Sequence, residues 1–443
     1  MSWLDEHPEI RNIRCGAADL NGQARGKRVP RRFAAKIESE GTRVPLSVMN
    51  VDIWGEDIKD SPLVYELGDA DGLLLPTERG YVPMPWLGSS TALLPLWAHR
   101  EDGNPFEGDP RHALARVLDR YKALGLTPVV ATEMEFYLVD DSGKNIQQPK
   151  SPRSGKRRDA AEILSLRALD AFDNFFNDLY EACDAMNIPA EAAMSEAGLG
   201  QFEINLEHQP DALKAADDAW FFKMLVRGLA RNHGMAASFM AKPYDDYAGN
   251  GLHTHFSVID ADGNNVFAND THEGTPVLHH AIAGCLAGIP ELVLIFAPHG
   301  NSYERLIPGS HAPTGICWAY DNRTASVRVP SGSFKARRIE HRVAGGDVNP
   351  YLFLAAVLGS ALIGIEDKMT PPPPISGNAY DLTLPQVPTD WAGAIDAFEA
   401  SAMARRIFDK QLVENFLRTK RQELRDFQEL SPDEQLALYL DTV

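Results

Sequence analysis

The chain has 443 residues, is 44% hydrophobic and 24% charged, and carries a formal net charge of −19. That length exceeds one ordinary core and predicts two domains. The acidic balance argues against non-specific nucleic-acid binding. No uninterrupted apolar run of membrane-spanning length is read, and Met1-Ser2-Trp3-Leu4-Asp5-Glu6 lacks the basic-then-apolar layout of a secretory leader. A cytoplasmic protein is expected, with neither nucleic acid nor membrane as partner. The four cysteines, Cys15, Cys183, Cys285 and Cys317, form no C-x-x-C pair and read as free core thiols.

In chain order, residues 1–105 read as a small β-rich domain and 106–443 as a larger one. Residues 13–20 are a strand, Asn21-Gly22 signals a hairpin, and residues 23–29 return antiparallel. Residues 31–41 have helical spacing and a glycine stop. The apolar run 44–54 contains Asp52, and strands follow at 72–76 and 90–97. Asp109-Pro110 opens a helix to Leu124, with aspartate as N-cap and proline in the first turn. A strand at 128–139 carries A-T-E-M-E-F-Y, and 142–156 is a polar surface loop. A long amphipathic helix is expected over 166–187, strand text over 190–205, a helix over 217–233, and strands at 236–243 and 251–259. Residues 277–290 form a helix ending at its proline; 297–342 is loop-and-strand text dense in arginine, proline and glycine. Residues 349–365 are an apolar core helix, 371–374 a rigid proline linker, and 390–443 charged helices.

Residues two apart in a strand share a face, so Glu133 and Glu135 stand side by side. Alone, they read as a solvated acidic edge. Glu203 is harder to leave in water: between Phe202 and Ile204 its carboxylate needs a buried partner. Glu196 lies close before it, across the Ala-Gly-Leu-Gly-Gln turn. His253 and His255 share a strand face, as do Arg338, Glu340 and Arg342. Carboxylate-rich clusters hold Mg²⁺ or Mn²⁺, which in turn hold nucleotide phosphates. Arginines on the same text supply the charge that phosphoryl transfer requires.

The order E-M-E-F, S-E-A-G-L-G-Q-F-E, G-N-G-L-H-T-H, N-S-Y-E-R-L-I-P-G-S-H-A-P, N-R-T-A-S-V-R-V-P, K-A-R-R-I-E-H-R and N-P-Y-L resembles the glutamine synthetase superfamily over nearly the whole chain. The resemblance implies an α+β protein: a β-grasp N-terminal domain, then a catalytic domain with a curved antiparallel sheet and surrounding helices. It also implies a homo-oligomer, a dodecamer of two hexameric rings with active sites between subunits. ATP phosphorylates the γ-carboxylate of L-glutamate, and a nitrogen nucleophile displaces the phosphate. Glu135, Glu196 and Glu203 match ligands of one Mg²⁺ or Mn²⁺; Glu133, His253 and Glu340 match those of a second. Arg305, Arg323 and Arg342 match residues holding the substrate carboxylate and the transferring phosphoryl group. His255, Ser257, Arg328, Lys335 and Arg338 match ATP-side positions, and Gly249 lies in the glutamate loop.

The chain departs from the family pattern at the ammonium flap, where R-x-x-P-G-Y-E-A-P is replaced by a run with Ser310 and His311. Ala248 likewise replaces an asparagine that opens the glutamate loop. These changes resemble the branch that makes γ-glutamylpolyamines and γ-glutamylmethylamide. They imply an organic amine, a polyamine or small monoamine, as the nitrogen nucleophile. Asp52, where the family keeps an acid contributed across the subunit interface, and His311 are the expected groups acting on that amine. Tyr380 lies near a tyrosine that some bacterial members adenylylate, and reads as a structural loop residue. An ammonia-using glutamine synthetase and a non-catalytic assembly protein are the rival readings.

Overall fold

The computed structural model describes residues 3–88, 90–143 and 145–443. Met1 and Ser2 of the leader reading, and Lys144 of the loop expected at 142–156, lie outside the described residues. Two sheets organise the described chain. The first contains β1 (Asn12–Ala18), β2 (Ala24–Pro30), β3 (Thr42–Pro45), β4 (Asp71–Pro76), β5 (Val82–Pro83) and β6 (Thr91–His99). Its order is β2-β1-β6-β4-β3, with β5 also on β6; β1 and β6 run parallel and the other pairs antiparallel. One apolar set of this sheet, including Ile13, Leu74 and Leu94, forms a core of its own with Phe106. Another, including Val82 and Leu93, joins the larger core.

The β1–β2 turn is a five-residue loop rather than a two-residue one, since Ala18 pairs with Ala24. Asp19 organises it by accepting from the backbone N–H groups of Asn21 and Gln23 at 2.9 and 2.8 Å.

The second sheet holds β7 (Thr127–Val139), β8 (Ala190–Ser195), β9 (Gln201–Leu206), β10 (Ala236–Ser238), β11 (Leu252–Ile259), β12 (Trp318–Tyr320), β13 (Val327–Val329) and β14 (Ile339–His341). Its order is β12-β13-β14-β11-β7-β9-β8, with β10 beside β7. It is antiparallel except for the edge pair β12–β13, which is parallel. On one face Val130, Met134 and Phe136 are fully buried, and helix Ala212–Asn232 packs against β7. The opposite face carries the charged residues of the site.

Helix boundaries depart from the sequence pattern where packing overrides it. The helix expected over 166–187 is two, Leu166–Asp170 and Asp173–Met186. Phe172 breaks it at φ −125°, with its buried ring edge-on to Phe202. Helix Ala212–Asn232 begins before residue 217 because Asp211 caps it, accepting from Lys214 N at 3.0 Å. Helix Pro276–Phe296 runs through Pro290 instead of ending there. It is long and apolar enough to match a membrane-crossing helix by length and composition, although Glu291 interrupts its apolar run, and 72% of its most apolar window is buried inside the protein. It lies backbone to backbone against helix Pro350–Glu366, and a Cβ on Gly364 would stand 2.1 Å from the His280 carbonyl oxygen. Glu291, just past the proline, accepts from Ser401 Oγ at 2.7 Å and Met403 N at 3.0 Å. Helices Trp391–Ala400, Ala402–Ile407, Lys410–Phe427 and Pro432–Thr442 complete the chain. The strand expected over 236–243 ends at Ser238, whose hydroxyl accepts from Met240 N. All four cysteines are buried and free.

Candidate active site

Directly paired residues of an antiparallel sheet project to one face, so register assembles the site. Glu133 pairs with His253 of β11 and with Asn205 of β9, and Glu135 pairs with Glu203. His255 pairs with Glu340, and Glu340 with Arg328. Glu196 follows β8 at the start of the turn into β9. Ser257 extends the same face of β11, half-buried opposite Val129.

Glu133 is the hub. Its two oxygens meet His253 Nδ1 at 3.0 Å and His255 Nε2 at 2.8 Å. Arg338 Nε donates to His255 Nδ1 at 3.2 Å, so the His255 proton sits on Nε2 and is donated to Glu133. Burial pushes the Glu133 carboxyl up, but its bonds to the two histidines outweigh that and hold it well below the usual range. Glu340 is fully buried, accepts from Arg328 Nη1 at 2.7 Å and pairs with Arg342. Burial opposes its ionisation; Arg342 and the two histidines win, leaving it at about 2.

At Glu196 and Glu203 burial and like charge win instead. Burial, then the charge of Glu135, raises Glu196 to about 7. Burial and the charges of Glu133, Glu135 and Glu196 push Glu203 well above the carboxylate range. Mutually repelling carboxylates beside an imidazole fit a hard divalent cation, which relieves that repulsion and takes oxygen and nitrogen donors. Two sets bring ligand atoms within 4.8 Å of one another: Glu133, Glu203 and His253, and Glu133, His255 and Glu340. These groupings differ from the expected ones. Glu135 is drawn aside, its Oε2 accepting from Gly251 N at 2.7 Å and Gln201 Nε2 at 3.3 Å, while Glu133 bridges both histidines.

Arginines border the cluster: Arg328 and Arg342 pair with Glu340, and Arg338 bonds His255. Arg305 ends the short helix Ser302–Arg305, is 4% exposed, and donates to the Val343 carbonyl at 2.8 Å. Arg328 also pairs with Asp321 at 2.7 Å. Arg323 is exposed after β12, and its charge acts on Glu196. Lys335 is exposed in the turn Phe334–Ala336. Gly249 admits no side chain, since a Cβ would meet the Ala241 carbonyl oxygen at 2.3 Å.

The two expected amine-side groups are not joined to this cluster by any contact among the described residues. Asp52 is 1% exposed and its oxygens are engaged: Oδ1 accepts from Trp54 N and Glu56 N, and Oδ2 from Gln422 Nε2 at 2.8 Å. Within the chain it is a turn anchor. His311 is exposed at φ 67°, on a loop where Ser310 Oγ donates to the Arg305 carbonyl and Tyr380 Oη donates to the Ala312 carbonyl at 2.8 Å.

Three residues escape sequence reasoning. Gln201 is buried and binds Glu135, Gly249 and Asn250 together. Tyr137 Oη donates to the Ala248 carbonyl at 2.6 Å. Gly251 leaves open the space beside His253 Nε2. The available signal was a buried-parity glutamine two residues before Glu203.

A family profile for the catalytic domain of glutamine synthetase matches residues 107–439. Gamma-glutamylputrescine synthetase PuuA of Escherichia coli (strain K12) is 35% identical over 431 residues, covering 97% of this chain and 91% of its own. Glutamate–isopropylamine ligase of a Pseudomonas species is 33% identical over 449 residues, covering 100% and 97%. The solved structure of a GmaS/ADP complex superposes with a TM-score of 0.84 at 28% identity, covering 99% of this chain and 98% of that one.

Proposed function

The chain belongs to the glutamine synthetase family, and from that premise we propose that it is an ATP-dependent ligase joining the γ-carboxylate of L-glutamate to an organic amine. The observation that carries this reading is the face of β7, β9, β11 and β14 on which Glu133, Glu203, His253, His255 and Glu340 converge beneath a rim of arginines. An acidic floor with a cationic rim suits phosphoryl transfer to a carboxylate, where negative charge must be held and neutralised. Mg²⁺ or Mn²⁺ held by Glu133, Glu203, His253 and Glu340, with Glu135 and Glu196 beside them, would supply Lewis-acid neutralisation of phosphate charge.

In the proposed reaction, a γ-carboxylate oxygen of glutamate attacks the terminal phosphorus of ATP, and ADP leaves. The amine lone pair then attacks the acyl carbon, the bond to phosphate breaks, and the nitrogen gives up a proton. Arg328 and Arg338, with Ser257, His255 and Lys335, line the nucleotide side in this reading. Arg305, Arg342 and the backbone of the Gly249 loop face glutamate, and Arg323 reaches the phosphoryl group. His311 takes the amine proton; its left-handed backbone, unusual for a non-glycine residue, is a form of strain that gathers at functional loops. Two relatives act by name on putrescine and isopropylamine, which supports an organic amine over ammonium.

The test is an amine panel with ATP, glutamate and Mg²⁺, following ADP release and the mass of the amide. Ammonium, methylamine, isopropylamine, ethanolamine, putrescine and spermidine are ranked by kcat/KM. At least one organic amine is expected to exceed ammonium by about tenfold or more; ammonium ranking first would overturn the assignment. In the same assay, His311→Ala lowers amine-dependent turnover more than amine-independent phosphate release. Equal loss of both would remove His311 from the scheme.

A further inference from the structure

Gln201 is the first residue of β9 and is buried, 2% exposed. Its carboxamide ties together three pieces of chain that are distant in sequence. Oε1 accepts from Gly198 N at 2.9 Å, within the turn between Glu196 and Glu203. Nε2 lies 3.0 Å from the Gly249 carbonyl, 3.2 Å from Asn250 Oδ1 and 3.3 Å from Glu135 Oε2. An amide nitrogen has two hydrogens, so three acceptors share them. Asn250, itself fully buried, donates from Nδ2 to the Ser238 and Met240 carbonyls, which leaves its Oδ1 facing Gln201. The turn is packed so tightly that a Cβ on Gly198 would stand 1.7 Å from Tyr137 Oη, and that hydroxyl holds the Ala248 carbonyl.

We propose that Gln201 is a positioning residue that sets the Gly249–Gly251 loop against Glu135, and so fixes the glutamate subsite relative to the carboxylate cluster. The inference rests on the ligase reading above. Every side-chain bond of Gln201 ends on the glutamate side of the site, at Glu135, Gly249, Asn250 or the Glu196 turn. None reaches Arg328, Arg338 or Glu340 on the nucleotide side. A purely structural glutamine would affect both sides alike, whereas a positioning one separates them.

Gln201→Glu keeps the size and the Oε1 acceptor but replaces donor hydrogens with a carboxylate facing three acceptors. Gln201→Met keeps the length without any polar contact. Both are compared with the full-length wild-type protein. The expected result is a rise of about tenfold or more in KM for glutamate, as for other lost buried hydrogen bonds to a charged group, with KM for ATP nearly unchanged. Independently of turnover, Mn²⁺ titration of the substrate-free protein by electron paramagnetic resonance should show weakened affinity in both variants, with the change about tenfold or more. Circular dichroism and melting curves check the fold. Parallel rises in both KM values, or unchanged glutamate KM and Mn²⁺ affinity in a folded variant, would overturn the positioning role. A wild-type protein with no glutamate-dependent ADP release would instead sink the ligase reading. The Mn²⁺ titration then still reads whether Gln201 orders the cluster.

Discussion

At the residue scale the site depends on side chains that are absent as much as on those present. Gly251 occupies an ordinary backbone conformation, yet a Cβ there would lie 2.9 Å from His253 Nε2, 3.0 Å from Arg305 Nη2 and 3.2 Å from Glu135 Oε1. Those three atoms belong to two candidate ligands and the buried arginine, so a methyl group would enter the space in which they converge. All are ends of side chains, so the fold can yield where the site cannot. Gly251→Ala is therefore expected to leave the melting temperature nearly unchanged while lowering Mn²⁺ affinity and activity, by up to about 100-fold. A folded variant with wild-type Mn²⁺ affinity would show that His253 Nε2 and Glu135 are not working as ligands. The neighbouring carboxylates point the same way. Glu203 is raised by burial and three like charges, while Glu133 is lowered by two histidines; one face holds both extremes because the sheet register forces them together.

At the element scale, strands carrying chemistry were legible and their pairing was not. Alternation put Glu133 and Glu135 on one face, and His253 and His255 on another, from local text alone. Nothing local says that β7 lies between β9 and β11, strands separated from it by long helical stretches. The redistribution of His255 onto Glu133, and of Glu135 onto Gly251 N and Gln201, follows from that pairing. Asp52 shows the same limit, since its partner Gln422 lies far along the chain. Helix ends were misread where a tertiary contact overrode a local rule. Phe172 turns a ring into the core, and Pro290 is carried through because helix Pro276–Phe296 is clamped along its length. Gly284 and Gly364 face each other in that clamp, where a Cβ on Gly364 would also stand 2.7 Å from Gly284 N. The obstructing atoms are backbone, so the two helices must part. Gly364→Ala is expected to destabilise the protein by ~2 kcal/mol or more, read from the shift in urea midpoint. An unchanged midpoint would mean that the helices are not packed this closely.

At the scale of the whole molecule, the N-terminal hairpin loop is tied into the catalytic body by buried polar groups rather than by apolar contact alone. Trp220 Nε1 donates to the Gly22 carbonyl at 2.8 Å, and Asn349 Nδ2 to the Asp19 carbonyl at 2.8 Å. On the other side, Lys420 and Glu423 of helix Lys410–Phe427 form an ion pair at 2.7 Å, both fully buried. Asn21 closes the ring, accepting from Lys420 Nζ at 2.5 Å and donating to Glu423 Oε1 at 2.7 Å. Burial raises the Glu423 carboxyl above its ordinary 4.5, with Lys420 as the main opposing influence. Lys420→Met would leave that carboxylate uncompensated, a loss of about 3–5 kcal/mol for a buried pair. Removing the lysine also raises Glu423 further in the folded state, while the unfolded state keeps the ordinary value. The folded variant then binds its proton more tightly than the unfolded chain. Its stability should rise as pH falls through the raised folded value toward 4.5, and be lowest above that value. Urea midpoints of wild type and variant at pH 8 and at pH 5.5 check this directly. The deficit is expected to be largest at pH 8 and to shrink on acidification. A deficit independent of pH would place the loss in packing around the lysine stem rather than in a stranded charge.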